Sequence, residues 1–280
     1  MPVTASSEQA SAEAVLLIEG VLGLEAAAIY SGSSQLAPDA NIRALEHLLE
    51  ERVERRIPLQ YLLHQAWFYG LHFYVNPHVL IPRPETEHLV EAVFDCVWHN
   101  RVVATRPAAI LDVGTGSGAI AVALSCALKG QAAVSAVDIS PEALRVARLN
   151  QRLLGSTVNF LAAGDLLAPV PSETRFDIIV SNPPYIDPAL KETLMPEVLW
   201  HEPSSALFPP DADATYFYRR LAAESPRHLA PGGFIFVEVG AGMAEDVSGI
   251  FAENGFEAVT IKNDYAGIGR VVSGAWPLVS

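Results

Sequence analysis

The spacing of apolar positions changes character twice along the chain. From Ser11 to Leu22 apolar residues recur at helical intervals and stop at Gly23. A second helical segment is expected over 24–30, broken by Ser31-Gly32-Ser33-Ser34. A third is expected over 39–56, with Asp39 as its cap and Ile42, Leu45, Leu48, Leu49 and Val53 along one side. Residues 1–57 thus read as a small helical bundle without catalytic groups. Over 58–83 the pattern turns aromatic. Phe68 to Val75, interrupted by Gly70, predicts a short hairpin, and Asn76-Pro77 turns the chain. That stretch is read as a connector. From 84 to 280 apolar runs and helical patterns alternate. Strands are predicted over 108–113, 132–137, 158–162, 176–180, 232–239 and 256–261, with 269–273 as a last edge strand. Helices are predicted over 117–128, over 141–153 with Pro141 in its first turn, and over 216–228. This alternation implies an α/β domain with a mostly parallel seven-stranded sheet covered on both faces. There is no internal repeat.

Composition narrows the class. The chain has 280 residues, 50% hydrophobic and 18% charged, which is the balance of a globular protein with a large core. Eighteen basic residues against 32 acidic ones give a net charge of −14. A nucleic-acid binder draws affinity from neutralising phosphates, so this balance argues against a direct nucleic-acid partner. Cys96 and Cys126 form no Cys-x-x-Cys pair and are expected to be buried packing residues in a reducing compartment. The histidines show no zinc spacing, so no metal is predicted. The first residues lack the basic and apolar regions of a secretory signal, and no apolar run approaches the ~20 residues of a membrane span. The expected location is the cytoplasm.

Three successive strand ends carry candidate chemistry. Asp112-Val113-Gly114-Thr115-Gly116-Ser117-Gly118 stands where a strand hands over to a helix, and its glycines let the backbone turn tightly and a ligand approach the main chain. Asp138 closes the next strand, where a carboxylate can accept both ribose hydroxyls of a nucleoside. Gly164-Asp165-Leu166 follows the third, with Asp165 placed for an adenine amino group and Leu166 for its ring. The plainer alternative is a tight turn that packs helix on strand. Gly114, Gly116 and Ala119 also satisfy the looser dinucleotide pattern of dehydrogenases. The third glycine, Gly118, the preceding Asp112, placed for a sulfonium ligand's amino group, and the absence of a hydride-transfer site favour S-adenosylmethionine.

The strongest signal is Ser181-Asn182-Pro183-Pro184-Tyr185, directly after the fourth strand and so beside the expected ligand. Methyl transfer is an in-line displacement at a sulfonium carbon. The Asn182 side-chain carbonyl can accept one N–H of an amide or amino nucleophile, and the Pro183 carbonyl can accept the other. Both contacts favour the positive charge that develops on the nitrogen. The prolines preorganise those acceptors, and Tyr185 offers a flat face to a planar group. A proline-rich turn with a packing tyrosine is the plainer reading of the tetrapeptide. After the series from Gly114 to Asp165 it explains less.

Together these residues resemble the protein-(glutamine-N5) methyltransferases of the HemK/PrmC family, which modify peptide-chain release factors. Ile81-Pro82-Arg83-Pro84-Glu85-Thr86-Glu87 is similar to that family's signature ahead of its catalytic domain, and Tyr61-Leu62-Leu63 and Phe68-Tyr69-Gly70 fit its connector. The resemblance spans about Val15 to Val272. It implies a Rossmann-like class I methyltransferase domain with S-adenosyl-L-methionine as cofactor, a release factor as partner and a substrate-recognising N-terminal domain. It assigns the cofactor to the turn from Gly114 to Gly118, to Asp138 and to Asn182, and the substrate glutamine to Asn182, Pro183, Pro184 and Tyr185. Arg83, Glu85 and Thr86 would lie near the cofactor's methionine end. A surface ion pair for Arg83, and a helix start for Glu85 and Thr86, are the simpler readings of those three. The chain departs from the family at Asp211–Thr215, at Met243 and at Leu166. Because the tetrapeptide also marks adenine-N6 methyltransferases and a sister enzyme acting on a ribosomal protein, both remain alternatives. So does a cofactor-binding module that has lost catalysis.

Overall fold

In the computed structural model the described residues are 7–24, 26–31, 38–99, 106–160 and 162–278. Helices α1 (Ser7–Leu22), α2 (Ala26–Tyr30) and α3 (Asp39–Glu54) come first, followed by the short α4 (Leu59–Leu62) and the hairpin β1 (Ala66–Phe68) and β2 (Leu71–Phe73). The residue ahead of α3 is Pro38, which makes no side-chain capping bond, so Asp39 is a first-turn acid and not the cap. The gain there is electrostatic, from a carboxylate at the positive helix end. The break at 32–34 lies outside the described residues.

The remaining elements are α5 (Glu87–His99), β3 (Ala108–Val113), α6 (Ala119–Leu128), β4 (Ala132–Val137), α7 (Pro141–Leu154), β5 (Val158–Phe160), β6 (Phe176–Ser181), α8 (Pro196–His201), α9 (Ser204–Leu207), α10 (Tyr216–Glu224), β7 (Leu229–Glu238), α11 (Ala244–Glu253), β8 (Glu257–Asn263) and β9 (Gly269–Ala275). The sheet runs β5-β4-β3-β6-β7-β9-β8, parallel from β5 to β7, with β9 antiparallel to both its neighbours. Chain order reverses between β3 and β6, and a ligand crevice opens at such a switch point. The last strand is not the edge. β9 lies between β7 and β8, because the β8–β9 hairpin folds its second strand inward onto β7.

Alternate strand residues feed two cores. Ile110 and Ile178, paired in register, face α5 and α6 with Leu89, Val93 and Leu124. Leu111 and Ile179, the next pair, face α10 and α11 with Tyr218, Leu221 and Phe251. Burial on both faces explains why β3 and β6 read as unbroken apolar runs. Each such side chain contributes about 1.5–3 kcal/mol of transfer free energy. At the far end, Asp177 takes both arms of Arg106 at 2.6 and 2.7 Å and the Ala109 N–H at 2.8 Å, which pins β6 to the start of β3. Both cysteines pack against the first core but are only half-buried, not buried as expected.

The connector docks on α7: Tyr61, Ala66, Val75, Val79 and Ile81 cluster with Ala143 and Val146. The hairpin turns through Tyr69 (φ +49°) and Gly70 (φ +73°), the left-handed pair that a two-residue turn requires. Arg52 of α3 bridges Glu13 of α1 at 2.8 Å and Glu197 of α8 at 3.0 Å, which ties the helical bundle to the segment beyond β6. Among the described residues no helix is long and apolar enough to cross a membrane.

Candidate active site

A cavity of about 520 Å³ opens at the carboxyl ends of β3, β4 and β6. Of the residues singled out in the sequence, Gly114, Gly116, Asp138, Asp165, Leu166, Asn182, Pro183 and Pro184 line it. The connector adds Pro77 to Leu80, and α10 adds Tyr216, Phe217 and Arg220. These were not legible beforehand, because nothing in their local pattern marks which side chains a distant strand end will face.

The glycines divide into two kinds. Gly114 (φ +76°) and Gly116 (φ +56°) have nothing within 4 Å of where a Cβ would stand, so their backbone borders open space in the cavity. Gly118 (φ +82°) is packed: a Cβ there would come within 3.1 Å of the Ala147 Cβ on α7. The loop is also held from outside. Asn150 of α7, fully buried, donates from Nδ2 to the Ser117 carbonyl at 2.8 Å and the Tyr74 carbonyl at 2.9 Å. Its Oδ1 accepts the Tyr74 N–H at 2.7 Å. A single amide thus joins the connector to the glycine turn.

Two carboxylates flank that turn. Asp138 accepts the Gly116 N–H at 2.7 Å and the Ser140 N–H at 2.8 Å. Burial raises its pKa, and the backbone N–H groups of Ser140, Gly116 and Ile139 partly offset the rise. Each oxygen keeps a further lone pair for a ligand hydroxyl. Asp112 is fully buried. Its Oδ2 accepts the Thr115 hydroxyl at 2.6 Å and the Ala121 N–H at 3.2 Å, whereas Oδ1 has no partner. Burial pushes its pKa up to about 7. Asp138 lines the cavity and suits a ribose, whereas Asp112, with its unpartnered oxygen, is buried behind the glycine turn and does not line the cavity.

Several candidates are held by partners of their own. Asp165 lies at the cavity but is ion-paired with Arg220 at 2.7 Å. Arg83 is paired at 2.5 Å with the buried Glu202, whose other oxygen accepts the Ile81 N–H at 3.2 Å. Glu85 is exposed in the 3₁₀ turn Pro84–Thr86, and neither Arg83 nor Glu85 lines the cavity. Thr86 is buried, and its hydroxyl oxygen accepts the Asn182 Nδ2–H at 3.1 Å. That leaves Asn182 Oδ1 without a hydrogen bond among the described residues, on a residue that lines the cavity. Tyr185 stands behind this wall. Its hydroxyl donates to Glu238 Oε1 at 3.2 Å, and its ring lies against Gly240. Burial and the neighbouring Glu238 raise its pKa. Glu238 itself was missed by the sequence reading. Its signal was the one that marked Asp112 and Asp138, a lone carboxylate closing an apolar strand.

Known proteins resemble this chain over most of its length. The methyltransferase small domain model matches residues 99–209, and the PrmC N-terminal domain model matches residues 4–63. A release factor glutamine methyltransferase of Geobacter sulfurreducens is 41% identical over 267 residues, covering 95% of this chain and 90% of that protein. A protein of the same name from Gloeobacter violaceus is 42% identical over 269 residues, covering 95% and 91%. A methyltransferase crystal structure from Pyrococcus furiosus superimposes with a TM-score of 0.54 at 17% identity, over 86% of this chain and 99% of that one, a likeness of fold.

Proposed function

Because this chain belongs to the family of release factor glutamine methyltransferases, we propose that it methylates the side-chain amide nitrogen of a glutamine in a peptide-chain release factor. S-adenosyl-L-methionine supplies an electrophilic methyl carbon. Gly114 and Gly116 leave room for it, Asp138 would take the ribose hydroxyls, Asp112 behind the turn would meet the ammonium through water, and Asp165 with Leu166 would border the adenine. The single observation that carries the substrate half is the orientation of Asn182. Its Nδ2–H is spent on Thr86, so Oδ1 is the atom left for an incoming N–H.

An amide nitrogen is a poor nucleophile because its lone pair is delocalised into the carbonyl. Two fixed acceptors, Asn182 Oδ1 and the Pro183 carbonyl, hold both N–H groups and favour the charge that grows on nitrogen as the new bond forms. The prolines keep those acceptors from reorganising, and Tyr185, anchored by Glu238, backs the wall that carries them. No general base is needed before attack, since the nitrogen's proton turns acidic only as the methyl arrives. The helical bundle grips the protein substrate, and the reaction belongs to the cytoplasm, where translation ends.

The test is mass spectrometry of a release factor incubated with the protein and S-adenosylmethionine. One methyl group gained on a glutamine side chain is expected. Methyl transfer to adenine in nucleic acid instead, or to a ribosomal protein alone, would overturn the assignment. The net charge of −14 disfavours the first of these.

A further inference from the structure

Helix α7 meets the glycine turn at two points. Ala147 packs against Gly118, and Asn150, three residues on and therefore on the same face, donates to the Ser117 carbonyl at 2.8 Å. That carbonyl has lost its usual helical partner. The Ala121 N–H, four residues on, goes to Asp112 Oδ2 at 3.2 Å. Ser117 and Asn150 are buried, at 3% and 0% exposure, so the carbonyl depends on the Asn150 amide. The rest of that amide is spent on Tyr74, whose carbonyl accepts at 2.9 Å and whose N–H donates at 2.7 Å. Three residues beyond Tyr74, Pro77 to Leu80 form one wall of the cavity, while Gly114 and Gly116 border it from the turn. Ser117, Tyr74 and Asn150 do not line the cavity themselves.

We propose that Asn150 is a positioning residue that fixes the connector wall against the glycine turn, and so sets the width of the S-adenosylmethionine site between them. A planar amide with two donors and one acceptor, all three engaged, holds Tyr74 and Ser117 at one spacing and one angle. Removing it leaves the Ser117 carbonyl buried without a donor, and both segments must move to recover partners. The turn then shifts relative to the wall, and the cofactor shifts relative to Asn182. Affinity falls because the two sides no longer match the ligand. Turnover falls because reacting atoms misplaced by about 1 Å react far more slowly. The affinity half of this inference needs only the cofactor; the turnover half rests on the proposed glutamine methylation.

Asn150→Ala is compared with wild type and with Leu128→Ala, which opens a cavity in the first core at the other end of α6 from the turn. Melting temperature, S-adenosylmethionine affinity by calorimetry and kcat on a release factor at saturating cofactor are measured for each. Both variants should melt earlier. Asn150→Ala should also bind the cofactor roughly 3- to 30-fold more weakly and turn over roughly 10- to 100-fold more slowly. Leu128→Ala should keep both values within about twofold, the scale of a distant, independent site. An Asn150→Ala variant that matches Leu128→Ala in affinity and kcat is merely destabilised, and overturns the proposal. Hydrogen exchange of the wild-type protein supplies a measurement that needs no variant. The Tyr74 N–H lies outside the cavity and is held by Asn150. Its exchange should slow by up to about 100-fold at a cofactor concentration of about 100 Kd, if turn and connector open as one unit. An exchange rate unmoved by the cofactor would mean that they open separately, and would overturn the proposal even where Asn150→Ala fails to fold. If wild type methylates no glutamine, that reading alone fails, and affinity and exchange still decide the role of Asn150.

Discussion

Replacing Asp138 by Asn separates a ligand contact from a structural brace. The carboxylate uses one lone pair of each oxygen on Gly116 and Ser140, at 2.7 and 2.8 Å, and leaves one on each for a ribose. An amide of the same shape keeps one acceptor oxygen. It therefore forfeits one hydrogen bond to a charged acceptor, worth about 1.5–3 kcal/mol, which is roughly a 10- to 150-fold loss of affinity at 1.4 kcal/mol per decade. The other end, now NH₂, opposes a backbone N–H at a cost of about 1–3 kcal/mol of stability. Relief of a buried charge, which already raises this pKa, works against that cost. The melting temperature should thus fall less than the affinity loss would suggest. Calorimetric titration with S-adenosylmethionine and with an analogue lacking both ribose hydroxyls provides the assay. The two losses should overlap rather than add, because variant and analogue delete the same contact. Unchanged affinity with a lowered melting temperature would refute the ribose assignment and leave Asp138 as a brace for the glycine turn.

Other outcomes follow from the same geometry. Asn182→Ala should lower turnover about 10²- to 10³-fold, as removal of one preorganised transition-state partner does, with cofactor affinity little changed; an unchanged rate would take Asn182 out of the reaction. Gly114→Ala and Gly118→Ala should differ in kind. Both carry left-handed strain of about 1–2 kcal/mol. The Gly118 methyl also meets Ala147 at 3.1 Å and should lower the melting temperature further, whereas the Gly114 methyl enters the cavity and should weaken cofactor binding. Equal phenotypes in melting and binding would contradict that division. Asp112 titrates near 7 when folded, above the unfolded value of about 3.9. Its contribution to stability is therefore full below about pH 4 and is lost as pH rises towards 7. In Asp112→Asn, Oδ1 of the amide can still accept from Thr115 and Ala121, while NH₂ replaces the orphaned oxygen. The melting temperature of the variant should fall less than that of wild type between pH 4 and 7, and parallel curves would reject the buried titration.

Much of the molecule was written locally. The alternation of strand and helix, the left-handed glycines of the β3–α6 turn and the acid closing β4 all follow from short-range rules, and so did the tetrapeptide after β6. Each is dictated by backbone sterics, by the period of the apolar residues or by the needs of one reacting group. The relations between distant segments are not local. The apolar pattern of β9 suits an edge strand, yet β9 is held between β7 and β8. Arg83 is ion-paired with a glutamate 119 residues away. The Thr86 hydroxyl oxygen takes the Asn182 amide, 96 positions on. By itself the sequence determined which chemistry the chain carries and where each strand delivers it. Tertiary structure alone decided which way the Asn182 amide points, because an amide's orientation is set by the hydrogen-bond partners that packing brings to it and not by its neighbours in the chain.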